Sequence, residues 1–194
     1  KDPARVTLGG EEKEVTVLFS DIRGFTTLSE KVSAEKLVQI LNKYFSRMSA
    51  EIIQQEGVLD KYIGDAIMAF WGAPLTDPAQ ADHALQAAKA MIQKLEILNE
   101  GLRASGDPEI RIGIGLHTGL AVVGNIGSEF RFDYTLIGDT VNVASRLEGL
   151  NKEHKTTLIL SESTKNKIRG EHSFRYLGEV TVKGREASLH IYTL

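Results

Sequence analysis

The stretch VLDKYIGDAIMAFW, residues 58–71, decides the fold of this chain. Its two halves, residues 58–62 and 66–71, are rich in β-branched and aromatic residues, and Gly64 and Asp65 separate them. This pattern predicts a tight β-hairpin. Hairpins join antiparallel strands, whereas neighbouring parallel strands need a long crossover. We therefore expect a largely antiparallel sheet, with Asp65 in one of its turns.

The residues before the hairpin predict a strand and then a long helix. Residues 15–20 alternate in the manner of a buried strand, which ends at Asp21. Apolar residues then recur at helical spacing from Leu37 to Met48, and Ser33 is a suitable N-cap. This helix is expected to run to about Gln55. Asp21 is thereby placed at a strand end.

The remainder predicts one more long helix, a shorter helix and several strands. The long helix has its apolar face between Ala84 and Leu98, and the shorter helix, residues 141–150, is expected to be capped by Asp139 or Thr140. The predicted strands are residues 110–116, 120–124, 132–137, 157–160, 174–177, 180–182 and 189–192. Two long helices among these strands predict an α/β (α+β) sandwich with a ferredoxin-like βαββαβ core and additional C-terminal strands and helices.

Length and composition predict a single domain. The 194 residues are 42% hydrophobic and contain no repeat, so residues 14–194 are expected to form one domain after a polar leader, residues 1–13, from an upstream linker. A formal net charge of -3 argues against bulk nucleic-acid binding. Without cysteine there is no disulfide, thiolate nucleophile or zinc site with sulfur ligands.

Location and context are also expectations. No apolar run has the length of a membrane span. The chain opens at Lys1 rather than at a methionine, and we expect a piece of a longer protein. We expect a cytoplasmic domain, with regulatory domains outside it and with membrane anchoring of the whole protein left open.

Two aspartates are the first candidates for chemistry. Asp21 and Asp65 each lie beside strand residues that are strongly apolar. Two partly buried carboxylates that face each other repel unless a cation lies between them, and Mg²⁺ or Mn²⁺ prefers such oxygen ligands. Each aspartate taken alone is equally typical of a turn.

Two further segments contain groups suited to phosphate and ribose. After Asp21 comes Gly24-Phe25-Thr26, whose backbone amides can cradle phosphates, although a plain glycine turn explains it as well. Asn142 and Arg146 are four residues apart on one helix face. Arginine suits a phosphate and asparagine a ribose hydroxyl, but a solvated face with an ion pair to Glu148 or Glu153 is the alternative.

Three motifs in order resemble the catalytic domain of class III nucleotide cyclases, the adenylyl and guanylyl cyclase family. They are LFSDIRGF at 18–25, DKYIGD at 60–65 and GDTVNVASR at 138–146. The resemblance implies that Asp21 and Asp65, with the Ile22 carbonyl, bind two Mg²⁺ or Mn²⁺ ions. It also implies that Asn142 and Arg146 act on the ribose and the transition state.

The same resemblance implies roles for three more residues. Lys61 and Thr135 match the purine-selecting positions, in the Lys/Thr form of one bacterial-type branch, and Lys183 matches a lysine that contacts the triphosphate. Taken alone, strand residues such as Lys61 and Thr135 usually face water. The implied enzyme is an adenylyl cyclase, a phosphorus-oxygen lyase of intracellular signalling that converts ATP to 3′,5′-cyclic AMP and pyrophosphate.

In this family the metal aspartates and the other site residues come from different chains, so a head-to-tail homodimer with two shared sites is expected. Two positions depart from the pattern. Many adenylyl cyclases have aspartate where Thr135 stands, and Gly113 stands where a phosphate-binding arginine is expected. Arg111, two residues earlier in the predicted strand, is a possible substitute.

Three alternatives stay open at this point. They are guanylyl cyclase activity, a catalytically silent nucleotide-binding module of the same fold, and another phosphoryl-transfer enzyme on a ferredoxin-like core. Against the last, the Gly-Gly-Asp/Glu-Glu/Asp-Phe signature of diguanylate-forming enzymes is absent, because Gly9-Gly10-Glu11-Glu12 precedes Lys13. His117 is expected to be a packed, hydrogen-bonded residue rather than a catalyst.

Overall fold

The computed structural model describes residues 8–181 and 188–194. Strands and helices follow one another in the order β1 (Gly9–Ile22), α1 (Phe25–Lys31), α2 (Ala34–Gln54), β2 (Val58–Ile63), β3 (Ala66–Trp71), α3 (Gln80–Ala104), β4 (Ile112–Ser128), β5 (Arg131–Ile137), α4 (Asp139–His154), β6 (Leu158–Ser161), α5 (Glu162–Lys165), β7 (Arg175–Thr181) and β8 (Ser188–Thr193). None of the helices in these described segments is long and apolar enough to cross a bilayer.

The sheet confirms the predicted fold class. Its strand order is β2-β3-β1-β4-β6-β8-β7, with β5 paired to β4 outside this path. The first four strands, together with α2 and α3, form the ferredoxin-like βαββαβ core. Within this core every pair is antiparallel, as the hairpin predicted, and the later elements extend the sheet through the parallel pair β4–β6.

The core is divided between the two faces of the sheet. Helices α2 and α3 pack on one face, where Leu18, Tyr44 and Trp71 are among the fully buried side chains. The other face carries Val17 and Phe70 in a second cluster that includes residues of β5 and α4. Neighbouring residues such as Val17 and Leu18 enter different clusters because successive strand side chains point to opposite faces.

Helix α2 and the hairpin were predicted correctly. Ser33 Oγ accepts the backbone N–H of Lys36 at 3.3 Å, which satisfies one unpaired donor of the first turn of α2. The β2–β3 turn lies at Gly64 and Asp65. Strand β1 starts at Gly9, six residues before the predicted strand, because residues 9–14 pair with β4. The boundary between leader and catalytic domain stays a prediction.

Strand β4 shows the largest difference between the predicted and the observed secondary structure. Residues 110–116 and 120–124 were predicted as separate strands, but residues 112–128 form one strand, and His117 and Thr118 pair with Val17 and Thr16 in mid-ladder. The glycines permit the close approach of α4. A Cβ at Gly115 would overlap the Ala144 carbonyl oxygen.

Two other local predictions were wrong. Helix α4 begins at Asp139 after Gly138, and no side chain caps it. Thr140, one of the two predicted caps, instead donates its hydroxyl to the Leu120 carbonyl at 2.6 Å. The strands predicted at 174–177 and 180–182 are one strand, β7, over its described residues.

Candidate active site

Asp21 and Asp65 are brought together by the pairing of β1 with β3. In this ladder Ser20 lies opposite Ile67, so the last residues of β1 approach the β2–β3 turn that contains Asp65. The carboxyl groups lie close enough for Asp21 to raise the pKa of Asp65. The backbone N–H of Ile22 donates to Asp21 Oδ1 at 3.0 Å and fixes that carboxylate at the strand end. The structure therefore joins two of the predicted metal ligands.

The electrostatics of this pair fit a cation. Burial, followed by the interaction with the Asp21 side chain and its negative charge, raises the pKa of Asp65 to about 6. Backbone N–H groups, including that of Ile22, oppose this rise. Two neighbouring carboxylates, one of which is harder to ionise because of the other, form a donor set into which a divalent ion fits. Among the described residues, no third carboxylate or histidine completes a larger cluster.

An ion pair that the sequence did not reveal lies next to these carboxylates. Arg23 Nη2 is 3.0 Å from Glu148 Oε1 and donates to the Glu148 backbone oxygen at the same distance. Burial raises the pKa of Glu148 to about 7; the Arg23 charge lowers it, and those of Asp21 and Asp65 raise it. Glu148 therefore pairs with Arg23 and not with Arg146, which was the alternative considered from the sequence.

The same ion pair explains the glycine at position 113. A Cβ there would overlap Arg23 Nη2 and lie 2.5 Å from Glu148 Oε1, so a side chain fits only if the ion pair moves. Arg111 is exposed just before β4, and its carbonyl accepts the Arg23 N–H at 2.7 Å. It lines a cleft of about 810 Å³ together with Asp21, Ile22 and Gly24. Its role towards phosphate stays a prediction.

The segment after Asp21 adopts a short helix, α1, which the sequence analysis missed. Gly24 precedes it with φ 65°, a left-handed conformation that favours glycine. Gly24 and Thr26 are exposed and Phe25 is half-buried. Binding of substrate by these three residues stays a prediction.

Lys61 and Thr135 are brought together by a third residue, Asp60. The Thr135 hydroxyl donates to Asp60 Oδ2 at 2.5 Å, and Lys61 Nζ lies 3.4 Å from Asp60 Oδ1. Thr135 is buried, contrary to the expectation for a lone strand threonine, and the Asp60 side chain is fully buried. Asp60 is the first residue of the DKYIGD motif, but its position in the sequence did not predict a contact with Thr135.

Asn142 and Arg146 share the exposed side of α4, as their spacing predicted. Arg146 makes no ion pair with any residue in the described part of the chain. The cleft beside Asp21 is lined neither by these two residues nor by Lys61, Thr135 or Asp65. Lys183 lies outside the described residues. Within one chain, the predicted site residues thus fall into separate groups.

Two other polar residues have structural roles. His117 is buried and its Nδ1 lies 2.8 Å from Ser161 Oγ, as expected for a packed histidine. Ser20 is a buried residue of β1, and its hydroxyl is 3.5 Å from the Tyr44 hydroxyl. Neither is placed to act as an accessible nucleophile or base.

Paired carboxylates of this kind are typical of enzymes that bind Mg²⁺ between protein carboxylates and substrate phosphates. The family model described as the adenylate and guanylate cyclase catalytic domain matches residues 10–194. The chain belongs to this family, whose members generally use divalent metal ions.

Relatives and solved structures agree with this assignment. Adenylate cyclase 1 of Rhizobium meliloti is 44% identical over 93% of this chain, which spans 27% of that protein's length. The crystal structure of the adenylyl cyclase CyaB from P. aeruginosa has a TM-score of 0.88 at 38% identity and 95% coverage of both chains. The guanylyl cyclase Cya2 has a TM-score of 0.85 at 33% identity, covering 95% of this chain and 93% of its own.

Proposed function

We propose that this domain converts ATP to 3′,5′-cyclic AMP and pyrophosphate at sites shared by two copies arranged head to tail. One copy supplies Asp21, Ile22 and Asp65, and the other supplies Lys61, Thr135, Asn142 and Arg146. The observation that carries this proposal is the division of the site residues into groups: Asp65 interacts with Asp21, whereas Lys61 and Thr135 share a different partner, Asp60. A second copy can supply Lys61, Thr135, Asn142 and Arg146 to the carboxylate pair.

Substrate choice is supported by the pair Lys61 and Thr135. The Lys61 ammonium can only donate a hydrogen bond, and the Thr135 hydroxyl oxygen can accept one. Adenine offers the complement, with an acceptor at N1 and a donor at its 6-amino group. An adenylate cyclase at 44% identity and an adenylyl cyclase structure at 38% support the same choice.

The reaction is an in-line displacement at the α-phosphorus. The ribose 3′-oxygen forms a bond to this phosphorus and loses its proton to solvent or a phosphate oxygen, while the bond to the bridging β-phosphate oxygen breaks and pyrophosphate leaves. Two Mg²⁺ or Mn²⁺ ions held by Asp21, Asp65 and the Ile22 carbonyl would supply activation of the hydroxyl and neutralisation of phosphate charge. Arg146 would stabilise negative charge that develops in the transition state, and Asn142 would orient the ribose.

The setting of the domain follows from the same proposal. Because the chain spans 27% of the length of its curated relative, regulatory domains are expected beyond it. A cytoplasmic location of the catalytic domain would give access to ATP. Guanylyl cyclase activity is the second candidate, since Cya2 has nearly the same fold.

The test incubates purified protein with ATP or GTP and Mg²⁺ or Mn²⁺ and measures cyclic AMP, cyclic GMP and pyrophosphate. Cyclic AMP should exceed cyclic GMP, and specific activity should rise with protein concentration as dimers form. Predominant cyclic GMP would favour the second candidate. If no cyclic product forms at concentrations that give dimer, the domain would be a catalytically silent nucleotide-binding module.

A further inference from the structure

Asp60 lies at an irregular position in the hairpin. The ladder passes from the pair Leu59 and Ala69 to the pair Lys61 and Met68, so Asp60 has no partner on β3. Such a bulge turns a side chain away from its regular direction, and bulges are common beside functional sites. Here it directs the Asp60 carboxylate towards β5.

The buried carboxylate of Asp60 has few partners among the described residues. Its Oδ2 accepts the Thr135 hydroxyl, whereas Oδ1 accepts no hydrogen bond and has the Lys61 ammonium 3.4 Å away. Burying a charge is costly unless it is paired. Thr135 and Lys61 are therefore the groups that compensate the charge of Asp60. Because this burial is costly, we expect Asp60 to have a role in ligand binding.

The contact determines what Thr135 can offer to a ligand. A threonine hydroxyl has one proton and two lone pairs, and an ionised carboxylate can only accept. With its proton donated to Asp60, the Thr135 hydroxyl presents only lone pairs elsewhere. A threonine without such a partner can rotate and either donate or accept.

We infer that Asp60 is a positioning residue for base selection, which makes Thr135 an obligate acceptor and so favours adenine over guanine. This rests on the proposed function, in which Lys61 and Thr135 face the base. The adenine 6-amino group donates to such an acceptor. Guanine presents its O6 there, and two acceptors that face each other leave both without a hydrogen bond.

The test measures kcat/KM for ATP and for GTP in the wild type, Asp60→Asn and Asp60→Ser. The amide introduced by Asp60→Asn can donate to the Thr135 oxygen and release the hydroxyl proton towards guanine O6. Serine is too short to hold the hydroxyl. The ATP to GTP ratio should fall by roughly 10- to 100-fold, the usual effect of one unpaired polar group. Asp133→Asn, which changes an exposed carboxylate on the same strand as Thr135, should leave the ratio unchanged.

A purely structural role gives a different result. It would lower kcat/KM for both nucleotides by the same factor, and an unchanged ratio in the Asp60 variants would overturn the inference. Asp60→Asn should also change the ratio no further when combined with Thr135→Val, because the effect passes through the Thr135 hydroxyl. Additive changes would contradict this, as would failure of both Asp60 variants to fold.

Displacement of a fluorescent ATP analogue by ATP or GTP separates this inference from the proposed function. A wild-type domain that makes no cyclic product, yet binds ATP in preference to GTP, would refute the cyclase activity. The effect of Asp60 on that preference would still be measured. A domain that binds neither nucleotide would refute both.

Discussion

Asp21, at the end of β1, lies beside Asp65 in the β2–β3 turn, and burial together with the interaction with Asp21 raises the pKa of Asp65 to about 6. Since a metal ion must displace the retained proton, Mn²⁺ binding should weaken as the pH falls through about 6. Well below that value, affinity should drop about tenfold per pH unit. Calorimetric titration with Mn²⁺ between about pH 5 and pH 7.5 measures this directly.

Asp65→Asn supplies the comparison for that experiment, because it removes the titrating group and should give weak binding with a much flatter pH dependence. Asp133→Asn removes an exposed carboxylate on β5 and should behave as the wild type. Equal Mn²⁺ affinity of the wild type at the two ends of this pH range would argue against a metal site at the carboxylate pair.

Glu148 gives a second pH-dependent prediction, on stability. Its folded pKa of about 7 is above the ordinary 4.5. Its stabilising contribution is therefore fully present below pH 4.5 and is lost as the pH rises towards 7. Glu148→Gln keeps the side-chain shape without the titration, so its melting temperature minus that of the wild type should increase across this range and level off above it.

Thermal unfolding of metal-free protein between about pH 4.5 and pH 8 tests this. The exposed Glu153 on the same helix provides the matched control, and Glu153→Gln should show a nearly constant difference from the wild type. A Glu148→Gln difference that decreases with pH would mean that the Arg23 charge outweighs burial.

Gly113 can accept a methyl group only if the neighbouring side chains move. Its Cβ would overlap Arg23 Nη2, and the ion pair with Glu148 would have to move. We expect Gly113→Ala to destabilise the fold by about 1–3 kcal/mol, as overpacking usually does. Gly149→Ala on α4 meets nothing within 4 Å and should be neutral or stabilising by up to about 1 kcal/mol. Denaturant unfolding measures both, and equal stability of the two variants would contradict the close contact.

The sequence predicted those elements whose signal is local. The alternation of β1, the turn at Gly64 and Asp65 and the cap at Ser33 depend on neighbouring residues, and all three were confirmed. The glycines of β4 were wrongly interpreted as strand ends, because they are needed for packing against distant residues and not for a local turn. Gly115 leaves room for α4, which lies more than 20 residues further along the chain.

The same distinction between local and tertiary signals applies to the site residues. Motif resemblance predicted that Asp21 and Asp65 act together, and the structure places them in contact. The contact of Asp60 with Thr135 could not be predicted, since it depends on a bulge and on the approach of β5 to β2. The Arg23–Glu148 ion pair likewise joins residues from distant parts of the chain.

Sharing of sites between two copies makes the sharpest prediction for activity. Asp21→Ala removes a proposed metal ligand from one half-site, and Arg146→Ala removes the proposed transition-state donor from the other. Each variant alone should be inactive, because both sites of its homodimer are damaged. In an equimolar mixture, half of the dimers are mixed and each has one intact site, so about a quarter of wild-type activity should return.

The matched control mixes Asp21→Ala with Asp65→Ala. Both changes damage the same half-site, so every site in every dimer lacks a metal ligand and no activity should return. Cyclic AMP formation is measured for both mixtures after time for subunit exchange, and size-exclusion chromatography verifies that dimers form. Rescue in neither mixture would place all these residues in one chain's site. Rescue in both would mean that the Asp21 and Asp65 of one site come from different chains, and the carboxylate pair within one chain would then lose its proposed role as the metal site.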